Sequence, residues 1–510
     1  MLNLLINLVA EGGLGSRVIE NIRKITEPDG LYMVVGKTAE RPIYETYGEC
    51  ILREYAARGI YDTDRWNPED VVPLEDAVIQ YMSQYSMEVM HQQRRFELYP
   101  DFRIEPDWDS HYTVYMHNLF FWYNYLKQKQ ITHVFLTAIP HEGYDCIIYY
   151  LCKYLSIPVQ IVHSCFIPFR RYPLNDFKID EPALKAEYSR LLEQYEHSNV
   201  EDIPLEGKTA EVFERWASLQ PDQMKPWYMR VNPFIRRLRQ RFYETNIIRI
   251  WRGILGDAYA EHGISPAFLK ISLQKTPQLL RMIPVAWKRW RFVRPVKKLS
   301  VRFREYYQSL AGEPVPGEEY IYFPLQYQPE ATSNPMGGGM YADQIIPLNI
   351  LSKSIPADMK IYVKTHPEQL SLMRTKDYYD EIAKIPKVRL MKIETSTYEL
   401  MKNAVAVASL TGTALWECQF FGVSALAFGY SVKNLAPLTY HVRTVEECKA
   451  ALKKIALMPR RDVKKELKIY TKALHNVSFA VQDMNEGLTR IITEFICEEV
   501  CEKHETAVHA

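Results

Sequence analysis

Short apolar runs, each followed by ten or more residues of helical pattern, recur in two separate blocks of this 510-residue chain. In the first block, LNLLINLVAEGGLGSRVIENIRKI reads as strand, Gly-rich turn and amphipathic helix, and LYMVVGKT at 31–38 as a second strand. A helix in HNLFFWYNYLKQKQ, a strand at 132–138, a helix at 143–155 and a strand at 158–163 continue the alternation. In the second block, strands at 319–326, 360–364, 388–391, 404–408 and 423–428 alternate with helices at 342–353, 371–384, 397–402 and 413–421. Parallel strands can be joined only through long crossovers, so this rhythm implies parallel sheets covered by helices. The expected fold class is α/β, with two Rossmann-like doubly wound domains.

A chain of 510 residues is also too long for one ordinary core. Residues 170–300 break the rhythm with polar, helix-patterned runs such as EPALKAEYSRLLEQYEHS, and read as a helical insertion over about 170–304. The Pro/Gly-rich LAGEPVPGEE at 310–319 is the expected hinge. The expected domains are thus 1–309, with the insertion, and 310–510, closing in helices over about 444–502.

A net charge of +1 with 47% apolar and 25% charged residues announces neither nucleic-acid binding nor a disordered chain. The eight cysteines, at 50, 146, 152, 165, 418, 448, 497 and 501, show no CxxC or zinc spacing, so reduced structural thiols of a cytosolic protein are expected. MLNLLINLVAEGG lacks a basic leader and is too short to span a bilayer. The expected location is cytoplasmic, or peripheral at the inner face of the plasma membrane.

In open parallel sheets, ligands bind beyond the carboxyl ends of the strands. IYVKTHPEQL (361–370) ends such a strand with His366 and Pro367. An imidazole there can donate to a phosphate oxygen, the proline fixes the turn that aims it, and Glu368 is an added acceptor; an ordinary loop histidine is the alternative. AVAVASLTGTALWECQFF (404–421) runs a buried strand into Ser409, Thr411, Gly412 and Thr413 and then a helix. That turn suits an anion at a helix N-terminus, worth ~0.3–1 kcal/mol, and equally suits a plain N-cap. Glu417 is placed to reach ribose hydroxyls or simply to complement the dipole. The long loop PLQYQPEATSNPMGGGMYADQ makes Gln328, Glu330 and Thr332 candidates for a cleft wall.

FPLQYQPEATSNP with YADQ, then YVKTHPEQ, then SLTGTALWECQFFGVSALAFG, in that order and spacing, resemble the nucleotide-sugar domain of capsule-type surface polysaccharide glycosyltransferases. That group is similar to the two-Rossmann-domain (GT-B) transferases, some of which use cytidine-monophosphate-activated ulosonic acids. The resemblance covers about 110 residues of the chain. It implies that His366, Pro367, Ser409, Thr411, Gly412 and Thr413 hold the donor's phosphate and nucleotide. Teichoic-acid polymerases that move polyol phosphates from CDP carriers look similar at the same positions, and sugar 2-epimerases share the fold, so the donor stays open.

In the N-terminal half, TAIPHEGYDCIIYYLCKYLSIPV (137–159) also looks like that group, and puts His141 and Glu142 between a strand and a helix. Either is a candidate acceptor-side base, worth roughly 10²–10⁴-fold in rate; a helix cap is the alternative. Asp145, on the first helical turn, is a second candidate acid, with complementing the dipole as the favoured alternative. AEGGLGSRVIE fails the dinucleotide fingerprint because position 18 is Val, leaving Glu11 as a candidate cleft acid beside a tight turn. Residues 231–304 carry 17 Lys/Arg against three acids. Arg236, Arg237, Arg239, Arg241, Lys288, Arg289, Arg291, Lys297 and Lys298 interleave there with aromatics, as suits an anionic membrane or a lipid-linked acceptor. A solvated helical face is the alternative.

DTD at 62–64 and DWD at 107–109 read as turn or cap acids, so no metal is expected. No cofactor is expected either, the nucleotide sugar being substrate. The sequence thus points to a glycosyltransferase acting on a capsular or other surface polysaccharide. A CDP-polyol phosphotransferase and a non-catalytic nucleotide-sugar-binding assembly protein are the rivals.

Overall fold

In this computed structural model the described residues are 1–8, 16–36, 41–58, 72–98, 104, 107–167, 170–178, 181–220, 266, 270, 273, 287, 291, 294–295, 298–369, 374–458, 460–480, 487, 490–492 and 494–496. The first sheet holds β1 (Asn3–Asn7), β2 (Gly30–Val35), β3 (Glu49–Leu52), β4 (His133–Leu136), β5 (Val159–Ser164) and β6 (Arg170–Leu174). The second holds β7 (Tyr320–Pro324), β8 (Lys360–Lys364), β9 (Val388–Leu390), β10 (Ala406–Ser409), β11 (Ser424–Ala427) and β12 (Thr439–His441). A last short strand, β13 (Phe479–Ala480), joins the first sheet.

The strand orders are β13-β6-β5-β4-β1-β2-β3 and β12-β11-β10-β7-β8-β9. Numbered within each domain, both follow the Rossmann order 3-2-1-4-5-6. The second sheet is parallel throughout; the first is parallel except at β6 and β13. Two parallel-sheet α/β domains are thus what the strand-helix rhythm encoded.

Both sheets are buried on both faces, and the two-residue period of each strand sorts its side chains. Ile321, Phe323, Ile361, Val363, Ala406, Ala408 and Leu426 pack on one face of the second sheet. Tyr320, Tyr322, Tyr362, Val407, Ala425 and Ala427 point to the other, into a cluster that continues to Leu5, Val34, Val134, Leu136 and Ile161 of the first sheet. One apolar core therefore runs between the two sheets. Trp416 is its joint: its ring lies 4.8 Å from Phe166, 5.7 Å from Trp216 and 5.6 Å from Tyr470.

Two expectations need correction. The region from 310 to 510 is not one domain, because the chain returns to the first sheet near its end. Helix Lys464–Asn476 lies against helix Pro182–Gln194, Phe479 pairs with Arg171, and the His133 and Phe495 rings are 5.4 Å apart. Arg170 secures the return by donating to Ser478 Oγ and to the carbonyls of His475 and Ser478. The physical reason is the edge of β6, whose unpaired backbone groups need a partner.

Residues 170–174 are also strand rather than the start of the insertion. Their RRYPL sequence hides the apolar side, Tyr172 and Leu174, between arginines and a proline. Beyond them, helices Pro182–Gln194 and Gly207–Ala217 are described. No described helix is long and apolar enough to cross a membrane.

Candidate active site

The carboxyl ends of β7, β8 and β10 converge on an open cavity of about 630 Å³. β7 and β10 are neighbours whose crossovers leave in opposite directions, which is the switch point where open α/β sheets bind ligands. Gln326, just past β7, ties the two loops together: its side-chain Oε1 accepts from Thr411 N at 3.1 Å and its Nε2 donates to Thr411 Oγ1 at 3.3 Å. The Thr411 hydroxyl donates in turn to Thr332 O at 2.6 Å.

Of the sequence candidates, His366, Pro367, Ser409, Thr411, Gly412, Thr413, Glu417 and Glu330, with Thr332, line this one cavity. His366 Nδ1 accepts from the Glu368 amide at 3.2 Å, so in the neutral ring the proton sits on Nε2. The imidazole is thereby a donor without being charged. Ser409 is fully buried, and among the described residues its hydroxyl has no hydrogen-bond partner. Thr411 is 1% exposed with its groups engaged, so it braces the wall.

Three readings change. The helix after the turn is only Ala414–Glu417 before it tightens to a 3₁₀ turn. A macrodipole is a sum over aligned peptides, so four residues supply little positive field. Gln328 is buried away from the cavity: its side chain donates to Ala342 O, and its backbone exchanges two bonds with the Gln369 side chain. Glu368 lies off the cavity wall and contributes its backbone amide to His366.

The positive charge comes from two lysines that sequence reasoning passed over. Lys364, the last residue of β8, donates to Thr395 O at 2.5 Å and Thr397 Oγ1 at 2.9 Å. Lys433, after β11, donates to Thr411 O at 3.1 Å and Ser431 Oγ at 3.4 Å. Both are buried and both line the cavity. Desolvation pulls each ammonium down to about 8, against Glu394 at Lys364 and against Cys165 and Glu417 at Lys433. Lys364 had a visible signal, a cation ending an apolar strand two residues before His366. Lys433 had none, since only the fold brings residue 433 beside residue 411.

Glu417 is buried with its carboxyl pushed up to about 7 by desolvation, held back by Arg215, Lys433 and a hydrogen bond with Thr413. Arg215 comes from helix Gly207–Ala217 in the N-terminal half of the chain, so that half reaches the edge of the cavity.

The first sheet presents its own switch-point loop, after β4. Asp145 accepts from the amides of His141, Glu142 and Cys146 at 2.7–2.9 Å and so ties the loop after β4 to the first turn of helix Tyr144–Leu155. Gly143, at φ 83°, leaves no room for a Cβ, which would sit 2.8 Å from Gln93 Cγ. His141 Nδ1 faces the Ile139 carbonyl at 2.6 Å, so it carries the proton and leaves Nε2 basic. Glu142, a buried residue, anchors this loop: its carboxylate takes Arg53 Nε at 2.7 Å, with Arg95 at 3.9 Å. His163, on β5, is held down to about 3 by desolvation, then Lys433 and His141, which marks all three as neighbours across the domain boundary.

Glu11, Arg236, Arg237, Arg239, Arg241, Lys288, Arg289 and Lys297 lie outside the described residues, as does 62–64. Arg291 and Lys298 are exposed, the Arg291 guanidinium 5.0 Å from the Trp287 ring. Asp107 caps helix Trp108–Gln128 through Ser110 N. Among the described residues no three His, Cys, Asp or Glu gather in metal-holding geometry.

No protein-family model matches the chain. No curated protein matches it either. Solved structures that resemble it include a UDP-GlcNAc 2-epimerase from Methanocaldococcus jannaschii (11% identity, 93% of this chain and 100% of that one, TM-score 0.25). A glycosyltransferase from Rickettsia africae (10%, 97% and 98%, 0.27) and a beta Kdo 2,7 transferase from Thermosulfurimonas dismutans (11%, 72% and 88%, 0.28) resemble it too. At these scores the likenesses carry no argument. The functional reading rests on the cavity.

Proposed function

We propose that the chain is a glycosyltransferase that binds a nucleotide-activated sugar in the cavity of its second sheet and transfers the sugar to a surface polysaccharide or lipid-linked acceptor. The observation that carries this reading is the pairing of two buried lysines, Lys364 and Lys433, with the His366 donor at the switch point of a Rossmann-ordered sheet. A cavity of about 630 Å³ is of the size that encloses a drug-sized or nucleotide-sized ligand. The resemblance of the same segments to capsule-type transferases supports the same assignment.

In this reading the acceptor oxygen attacks the anomeric carbon as the bond to the leaving phosphate breaks, and the phosphate departs with the electron pair. Lys364, Lys433 and His366 Nε2–H stabilise the charge that grows on it, and the rest is orientation. His141, whose Nδ1 is engaged with the Ile139 carbonyl, receives the hydroxyl proton on Nε2 in this reading. The exposed Arg291 and Lys298 belong to the basic segment that suits an anionic membrane.

Calorimetry with CMP, CDP, UDP and GDP on wild type, His366→Ala and Lys433→Met tests the donor site. Selective binding of one nucleotide, weakened at least tenfold in both variants, is expected. No binding by a folded wild-type protein sinks the transferase assignment. Release of CMP with a phosphate-linked product transfers the assignment to a polyol phosphotransferase.

A further inference from the structure

Behind His366 the protein seals in a positive charge that it does not itself answer. Arg374 is 1% exposed. Its Nη2 donates to Gln326 O at 3.0 Å, and its guanidinium carbon lies 4.4 Å from the Tyr378 ring centre. Among the described residues its Nε and Nη1 make no hydrogen bond of good geometry, the Tyr378 side chain lying beside the guanidinium, and no carboxylate is within ion-pair distance. A buried guanidinium with two open donor nitrogens is strongly unfavourable unless something else solvates it.

Arg374 lines a depression of about 20 Å³ together with Arg304, His366, Gln369 and Tyr379, and among the described residues no acid lies on its wall. Arg304, exposed at the rim, reaches Pro367 O at 3.4 Å. Thr365, His366 and Pro367 line both this depression and the main cavity, so the His-Pro turn is the partition between them. Glu394, the acid that senses Arg304, lies on the main-cavity side and is held low chiefly by Gln308. The volume admits about one water or one anionic oxygen.

We propose that this depression is an anion subsite, in which Arg374 and Arg304 take an oxygen of a carboxylate or phosphoryl group lying across the His366–Pro367 turn from the main cavity. Arginine suits the task because its planar donors form short, charge-assisted bonds to such oxygens. The subsite stands on Arg374 and not on the nucleotide assignment, so each can fail without the other.

The test is calorimetry and thermal melting of the full chain with inorganic phosphate, for wild type, Arg374→Gln, Arg304→Gln and Lys433→Met. Wild type is expected to bind phosphate and melt higher in its presence. Arg374→Gln should weaken phosphate roughly tenfold or more, and Arg304→Gln several-fold without changing the phosphate-free melt. Lys433→Met should keep the Arg374-dependent component, which separates the subsite from the main cavity. Displacement of that phosphate by UDP but not by UMP assigns the anion to the ligand's own second phosphate. Retention of phosphate beside UDP assigns it to a separate anion. Equal phosphate affinity in the folded variants, or none in wild type, overturns the subsite and leaves Arg374 solvated by water. If Arg374→Gln does not fold, Arg304→Gln decides.

Discussion

Gln326 and Thr411, 85 residues apart, are joined by two hydrogen bonds across the switch point of the second sheet. The pair holds the loop after β7 against the loop after β10 and so sets the width of the cavity between them. Gln326→Leu removes both bonds and strands the buried Thr411 amide. A loss of about 1–3 kcal/mol is expected, read by chemical denaturation, with weaker nucleotide binding. Unchanged stability would mean that the loops are set by other contacts.

Lys364 and Lys433 make ligand binding a proton-linked event. Each is pulled down to about 8, so near pH 8 each is partly neutral, and a bound anion raises both values. Nucleotide binding at pH 8 is expected to take up protons, and at pH 6 to take up none. Calorimetry in two buffers of different ionisation enthalpy measures the uptake, and affinity should fall above about pH 9. Binding without uptake at pH 8 contradicts a lysine-held anion.

The lowered Lys433 ammonium also has a stability signature. A lysine that is lower in the folded than in the unfolded state penalises the fold below about pH 8, and the penalty fades as pH rises toward 10.5. Lys433→Met is therefore expected to melt higher than wild type at pH 7 without ligand and to lose that advantage near pH 10.5.

Glu417 runs with the opposite charge. Its carboxyl is raised to about 7, so the penalty is present above pH 7 and disappears as pH falls toward the ordinary value near 4.5. Glu417→Gln keeps the hydrogen-bonding shape and is expected to stabilise the protein at pH 8 by roughly 1–3 kcal/mol, and by nothing at pH 4.5. Denaturant titrations at the two pH values decide it.

Glu142 binds Arg53 in the loop that carries His141. Arg53→Ala leaves a buried carboxylate with only the more distant Arg95, and a cost of about 1–3 kcal/mol is expected, less than for a fully sealed pair because Arg53 is 30% exposed. A double-mutant cycle with Glu142→Gln measures the coupling. Loss of transfer activity in Glu142→Gln with stability unchanged would restore Glu142 as a base.

What the sequence determined by itself is what is written locally. Strand periods, helix caps and the small residues of a strand-end turn are properties of adjacent residues, and they carried both sheets' central strands and the 366 and 409–413 loops to the right places. Four strands were not legible: β3, β12 and β13, which lie at sheet edges, and β6, which sits in RRYPL. Their strand character comes from the edges they complete.

Only the tertiary structure decided which residues bear charge into the cavity. Burial and the approach of distant groups move a lysine or a glutamate off its usual pKa, and neither is a property of neighbouring letters. So Lys433 meets Thr411, Arg215 meets Glu417 and Arg374 meets Gln326 only once the two sheets have closed on their common core. The same closure returned Phe479 and the apolar residues Ile491, Ile492 and Phe495 to the first sheet, where an edge strand and an apolar face needed cover.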